Sequence, residues 1–208
     1  KTNSAKNIYA VGIYGDRAVV NNTGDISVGY YGVGIYSKDT KAATENYGNI
    51  TSNAEGAIGL FSENSKVNNH GDITMNGSDS VGIYANKGAV ITNHGTITMN
   101  GDSSTGVYLN VNSTLDNQGT ININGNNSTG VMLKNGSRLL NSGTLNISGT
   151  VTGSKDIVYG GIEYPLPSII NAGIVRVSEN FETKGMDISI KVDPATITAP
   201  VTTADAGA

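Results

Sequence analysis

Asn93-His94-Gly95-Thr96-Ile97-Thr98-Met99 is one copy of a motif that runs the length of the chain. Toward the N-terminus lie Asn69-His70-Gly71-Asp72-Ile73, Asn46-Tyr47-Gly48-Asn49-Ile50 and Asn22-Thr23-Gly24-Asp25-Ile26. Toward the C-terminus lie Asn117-Gln118-Gly119-Thr120-Ile121, Asn141-Ser142-Gly143-Thr144-Leu145 and Asn171-Ala172-Gly173-Ile174-Val175. Subtracting successive Asn positions from 22 to 171 gives steps of 24, 23, 24, 24, 24 and 30 residues. Self-similarity at so constant a period is the signature of stacked repeats, each a supersecondary unit that buries its apolar side only against its neighbours.

Each period holds three apolar bursts. The first follows the Asn-x-Gly: Ile73 and Met75, Ile97 and Met99, Ile121 and Ile123, Leu145 and Ile147, alternating with Thr74, Thr98, Asn122 and Asn146. Alternation at period two marks a strand with one buried face. The second burst is of the type Val81-Gly82-Ile83-Tyr84, repeated as Val11-Gly12-Ile13-Tyr14, Val33-Gly34-Ile35-Tyr36, Ile58-Gly59-Leu60-Phe61, Thr105-Gly106-Val107-Tyr108 and Thr129-Gly130-Val131-Met132. The third places Val20, Val67, Ile91, Leu115, Leu139 and Ile169 two positions before the next Asn.

Three strands and three turns in ~24 residues describe one coil of an all-β, single-stranded parallel β-helix, a solenoid of about eight coils. The rule for parallel crossovers predicts a right-handed coil. With 28 Gly in 208 residues, helices are disfavoured. A leucine-rich repeat has a similar period, but the chain has only eight Leu and no Leu-x-x-Leu-x-Leu frame. The solenoid is expected over residues 1–192, with an insertion at 149–167 where the step lengthens to 30, and an extended linker or tail over 193–208. The first coil is expected to begin near Asn7 with Ile8, and Ile188, Ile190 and Val192 alternate as a last strand before Pro194.

Asn22, Asn46, Asn69, Asn93, Asn117, Asn141 and Asn171 are predicted to point inward at a corner and form a hydrogen-bonded ladder along the axis. The Gly two residues after each Asn is expected to supply a backbone angle that other residues resist, as is the Asn-Gly of turns such as Asn76-Gly77 and Asn100-Gly101.

If the second strand alternates, Val81 and Ile83 face inward, and Tyr14, Tyr36, Phe61, Tyr84, Tyr108 and Met132 form an external column. Gly12, Gly34, Gly59, Gly82, Gly106 and Gly130 would then lie outward as a trough beside it. Such a column either stabilises the sheet by self-stacking or contacts a glycan or protein partner, so these Tyr and Phe residues are candidate partner contacts. Tyr164, in the insertion, is a further candidate, since insertions in repeat proteins map to surface loops.

His70 and His94 occupy equivalent positions, with Tyr47 and Gln118 continuing their column. Stacked imidazoles can hold a metal or respond to pH, but a metal needs more ligands, and spacing brings no carboxylate column beside them. Surface stacking is therefore expected. The calcium repeat Gly-Gly-x-Gly-x-Asp, nucleophile elbows, zinc motifs and phosphate loops are all absent. No catalytic, metal-ligating or cofactor-binding residue is assigned. A polysaccharide-cleaving enzyme would need acids, bases and cations gathered on one face, whereas 13 Lys and Arg are scattered through the repeats.

A net charge of −4, with Arg only at 17, 138 and 176, leaves no basic stripe for nucleic acid. There is no Cys and no apolar run of membrane-spanning length. The chain opens in mid-pattern and closes on Ala204-Asp205-Ala206-Gly207-Ala208, so a piece of a longer protein is expected.

The repeats from Asn117 to Ile123 and from Ser128 to Ser137 resemble the passenger repeats of fusobacterial autotransporter adhesins. The stretch Ile169-Ile170-Asn171-Ala172-Gly173-Ile174-Val175-Arg176-Val177, with Lys184-Gly185-Met186-Asp187-Ile188, is similar to the membrane-proximal passenger region of that group, which includes RadD and the galactose-binding adhesin. The resemblance implies a passenger exposed on the bacterial surface, tied to the outer membrane through a C-terminal barrel. It implies partners that are host-cell proteins, glycan receptors or other bacteria. It carries over no receptor-binding residue. Open strand edges at the two ends make end-to-end self-association a further expectation.

Overall fold

The computed structural model describes residues 9–154 and 162–177, and the backbone of 182–186 and 189–192. Asn7, Asp187, Ile188, residues 155–161 of the expected insertion and the 193–208 tail lie outside the described residues. The described chain is a three-sided parallel solenoid without helices. The first sheet contains Val11–Asp16, Val33–Lys38, Ile58–Glu63, Val81–Asn86, Thr105–Leu109, Thr129–Lys134, Thr150–Ser154 and Glu182–Met186. The second contains Asn21–Asn22, Thr44–Asn46, Lys66–Asn69, Val90–Asn93, Thr114–Asn117, Arg138–Asn141, Ser168–Asn171 and Ser189–Val192. The third runs Ile26–Ser27, Ile50–Ser52, Ile73–Met75, Thr96–Met99, Thr120–Ile123, Thr144–Ile147 and Ile174–Val177. Eight, eight and seven strands follow one another in sequence order in the three sheets.

Like residues sit over like. Ile73, Ile97, Ile121 and Leu145 are consecutive register partners, as are Val67, Ile91, Leu115, Leu139 and Ile169. These rows are buried and build one continuous interior. Where the third burst is weak, Thr44 takes the core position and its hydroxyl pairs with that of Ser37 at 2.9 Å, so the buried polar group is satisfied.

The Asn row is buried as predicted. Each Nδ2 donates to the Oδ1 of the Asn in the next coil: 2.7 Å from Asn22 to Asn46, 2.7 Å to Asn69, 2.9 Å to Asn93, 2.9 Å to Asn117, 2.8 Å to Asn141 and 2.6 Å to Asn171. The same Nδ2 donates to the carbonyl of the Gly two residues on, for example Asn93 to Gly95 at 2.9 Å. The corner thus closes on its own backbone.

The reason for that Gly differs from the expectation. Positive φ among the described glycines is confined to Gly56, Gly88 and Gly136. Gly48, Gly71, Gly95, Gly119, Gly143 and Gly173 are required because a Cβ there would press into the carbonyl of the Gly in the preceding coil, well inside van der Waals contact. The Asn-Gly turns follow the same logic. Gly101 abuts the Gly77 carbonyl, while the left-handed backbone falls two residues later, on Asp79 (φ 54), Ser103 (φ 56) and Asn127 (φ 52).

Thr150–Ser154, expected within the insertion, is a strand of the first sheet. The lengthening is therefore confined to the connection from that strand to Ser168–Asn171. Within it Tyr164 and Pro167 are buried, and a Cβ on Gly136 would meet Pro165 at 3.0 Å. Pro165 thus lies against the neighbouring Asn135–Gly136 turn.

Candidate interaction surface

The second burst does not alternate simply. In the four strands starting at Val33, Ile58, Val81 and Thr129 the order is half-buried, buried, buried, half-buried, buried, half-buried. Val81 is therefore half outside, and Gly82 and Ile83 are both inside. A Cβ on Gly82 would meet the Gly106 carbonyl at 2.7 Å, Ile97 Cγ2 at 2.9 Å and Met99 Sδ at 3.0 Å. The glycines face the core, which leaves no room for a side chain, and the expected external trough does not exist. The physical cause is an extra residue where the strand bends. Thr150–Ser154 lacks it, so Val151 pairs with Val131 and the register slips past Gly130.

The aromatic column is present. Tyr14 and Tyr36 have ring centroids 5.1 Å apart, edge-on at 67°; Tyr36 and Phe61 are 4.5 Å apart at 61°. Phe61 and Tyr84 stack at 4.6 Å, and Tyr84 and Tyr108 at 4.7 Å, each pair within 8° of parallel. The faces of Phe61, Tyr84 and Tyr108 are thus turned to one another, and their edges to the outside. Tyr14, in the first coil, is 54% exposed. Beside the column run half-buried Val33, Ile58 and Val81, so the outer side of the first sheet carries a two-residue-wide apolar strip. Burial pushes the Tyr84 phenol above its ordinary value, with Tyr108 and Glu63 adding to it. Tyr36 is raised by burial and then by Glu63, whose Oε2 accepts from its hydroxyl at 3.4 Å. Tyr164, at 8% exposure, is buried in the folded-back insertion and is not part of this column.

At the corner that follows the second sheet, Tyr47, His70 and His94 stack at 4.5 and 4.8 Å, within 7° of parallel. A carboxylate does adjoin them: Glu45 Oε2 lies 3.1 Å from His70 Nε2, and Glu45 Oε1 accepts from Asn68 Nδ2 at 2.8 Å. Glu45 was missed because its strand row reads Asn21, Glu45, Asn68, Thr92 and Asp116, so its two carboxylates stand three coils apart and form no column. Among the described residues, no group of three or more His, Cys, Asp or Glu could hold a metal ion.

A second asparagine row was also missed. On the outer edge of the third sheet, Asn76 donates to Asn53 at 2.7 Å, Asn100 to Asn76 at 2.8 Å and Asn124 to Asn100 at 2.9 Å. A buried serine row runs beside the same turns, the Ser104 hydroxyl accepting from Ser80 N–H and that of Ser128 from Ser104 N–H, each at 3.1 Å. Both rows repeat every 23 or 24 residues and were legible as such.

No curated protein and no solved structure matches the chain. A family profile described as the BigA third pectate lyase-like domain matches residues 37–188, well over half of the 208 residues. That span takes in most of the stacked coils, and on this match the chain belongs to the family of BigA third pectate lyase-like domains.

Proposed function

We propose that this chain is a non-enzymatic β-helical stem of a bacterial surface adhesin, an autotransporter passenger of the kind found in fusobacteria, which holds a distal receptor-binding region away from the outer membrane. The observation that supports it most is the unbroken stacking of the core and Asn rows from Asn22 to Asn171. Eight coils at one strand spacing span roughly 35–40 Å, with stability supplied coil by coil. The family match and the resemblance of the repeats to adhesin passengers point the same way.

The test is to remove or duplicate whole coils in the full-length adhesin. Surface display is expected to persist while attachment to host cells or partner bacteria falls as coils are lost and returns when they are duplicated. Attachment independent of coil number, with display intact, sinks the spacer role.

A second reading has the apolar strip on the first sheet bind a protein partner. Its half-buried Val and Tyr columns favour it, whereas mutually stacked ring faces disfavour a sugar there. Changing Tyr84 and Tyr108 together to Ala, with folding verified, lowers attachment if that reading holds and leaves it unchanged if the chain is only a spacer.

A further inference from the structure

The outer face of the third sheet differs from the other two. From Thr96 to Asn146 its outward strand positions are Thr or Asn, with no charge and no aromatic ring. These side chains are short, and the asparagines are already fixed. Asn124 and Asn100 belong to the exposed ladder, and Asn146 Nδ2 donates to Asn122 Oδ1 at 2.7 Å. Each ladder amide spends one N–H and one lone pair along the axis. Its chemistry leaves a second N–H and a second lone pair for solvent or a ligand. The result is a flat lattice of paired donors and acceptors, repeated at one strand spacing of about 4.8 Å. Ligand binding to such a lattice orders few side chains, the usual cost of polar recognition.

The lattice ends at a shallow, open cavity of about 230 Å³ lined by Ile123, Asn124, Asn146, Ile147, Ser148, Arg176 and Val177. This is smaller than a drug-sized pocket of roughly 300–1,000 Å³ and on the scale of one sugar ring. Its walls combine aliphatic side chains with amides, a hydroxyl and the Arg176 guanidinium, whose Nη1 lies 3.5 Å from Asn146 Oδ1.

We propose that this face binds an extended, uncharged polysaccharide without cleaving it, with one sugar seated in the cavity and successive hydroxyls meeting the amide lattice. A second copy of the chain fits poorly. Seven strands by three outward positions give roughly 400 Å², about half of the ~800 Å² per partner of a standard interface. A polymer tolerates a narrow contact, because many weak contacts on one chain act together. Polyanions are disfavoured because the outward positions from Thr96 to Asn146 carry no cation, the Asp72 carboxylate stands at one end, accepting from Thr96 N–H at 2.8 Å, and Arg176 at the other end is a single cation in contact with Asn146. The proposal does not depend on the spacer reading.

The test is co-sedimentation of the folded chain with insoluble cellulose, chitin and β-1,3-glucan, alongside immobilised polygalacturonate. Retention is expected on at least one neutral polymer and not on polygalacturonate. Thr98→Lys and Asn122→Lys, which raise long charged side chains from the lattice, should each weaken retention at least tenfold. Thr92→Lys, on the outer side of the second sheet, should leave it unchanged, with all three variants unfolding at the urea midpoint of the parent. Absence of retention on every neutral polymer, equal retention of the Thr98 and Asn122 variants, or stronger retention on polygalacturonate overturns the proposal. So does a concentration-dependent dimer that the same two variants abolish, which would assign the face to a second copy.

Discussion

At the scale of the residue, the stability of this chain rests on amides that are buried yet fully used. Asn93 accepts from Asn69, donates to Asn117 and closes on the Gly95 carbonyl. Asn93→Ala leaves one N–H of Asn69 and the Oδ1 of Asn117 without their ladder partners, while the Gly95 carbonyl keeps the Thr120 N–H at 3.2 Å, and should cost about 2–3 kcal/mol, measured by urea unfolding. Asn22, in the first coil, has no Asn before it in the described row, and Asn22→Ala should cost less. Tyr84 gives a pH signature. Its folded pKa is raised by burial, so the stability tied to the neutral phenol is complete below the unfolded value of about 10 and is lost as pH rises from there through the folded value. Tyr84→Phe should flatten the alkaline fall of the urea midpoint between pH 9 and 11, and an unchanged fall would show that the phenol carries none of it.

At the scale of the element, a corner glycine matters for the neighbour above it rather than for its own φ. Gly95→Ala drives a Cβ into the Gly71 carbonyl, while Gly24→Ala meets nothing within 4 Å. Identical chemistry at equivalent positions should therefore cost about 1–3 kcal/mol at Gly95 and close to nothing at Gly24. Equal costs would return the explanation to backbone conformation. Ile97, buried between Ile73 and Ile121, should lose about 2–5 kcal/mol on change to Ala, since the rows on either side hold the cavity open. The turns were read less well than the strands. Asn-Gly pairs suggested left-handed corners at Gly77 and Gly101, yet that backbone falls on Asp79 and Ser103. A dipeptide preference describes an isolated turn, and here each turn must also fit under the previous one.

At the scale of the whole molecule, the period is the unit of tolerance. Deleting residues 93–116, which is 24 residues, places Asn117 over Asn69 and keeps all three rows in phase. The shortened chain should fold with native-like circular dichroism and lose stability roughly in proportion to one repeat and its interface. Deleting 12 residues from the same region sets unlike residues over one another in every sheet and should abolish cooperative unfolding. Similar behaviour of the two deletions would contradict a solenoid stabilised by registered rows.

The sequence alone determined the period, the three strands per coil, the buried rows and the Asn ladder, because in a stacked repeat the contact partner of each residue is its own copy one period away. It could not determine which way Gly82 and its equivalents face, that stacking would consume the ring faces of the Tyr column, that Glu45 would reach His70, or that Tyr164 would be buried. Those outcomes depend on where a strand bends and on how a loop returns across a neighbouring turn. Both are set by the space left between coils, which exists only once the chain has wound.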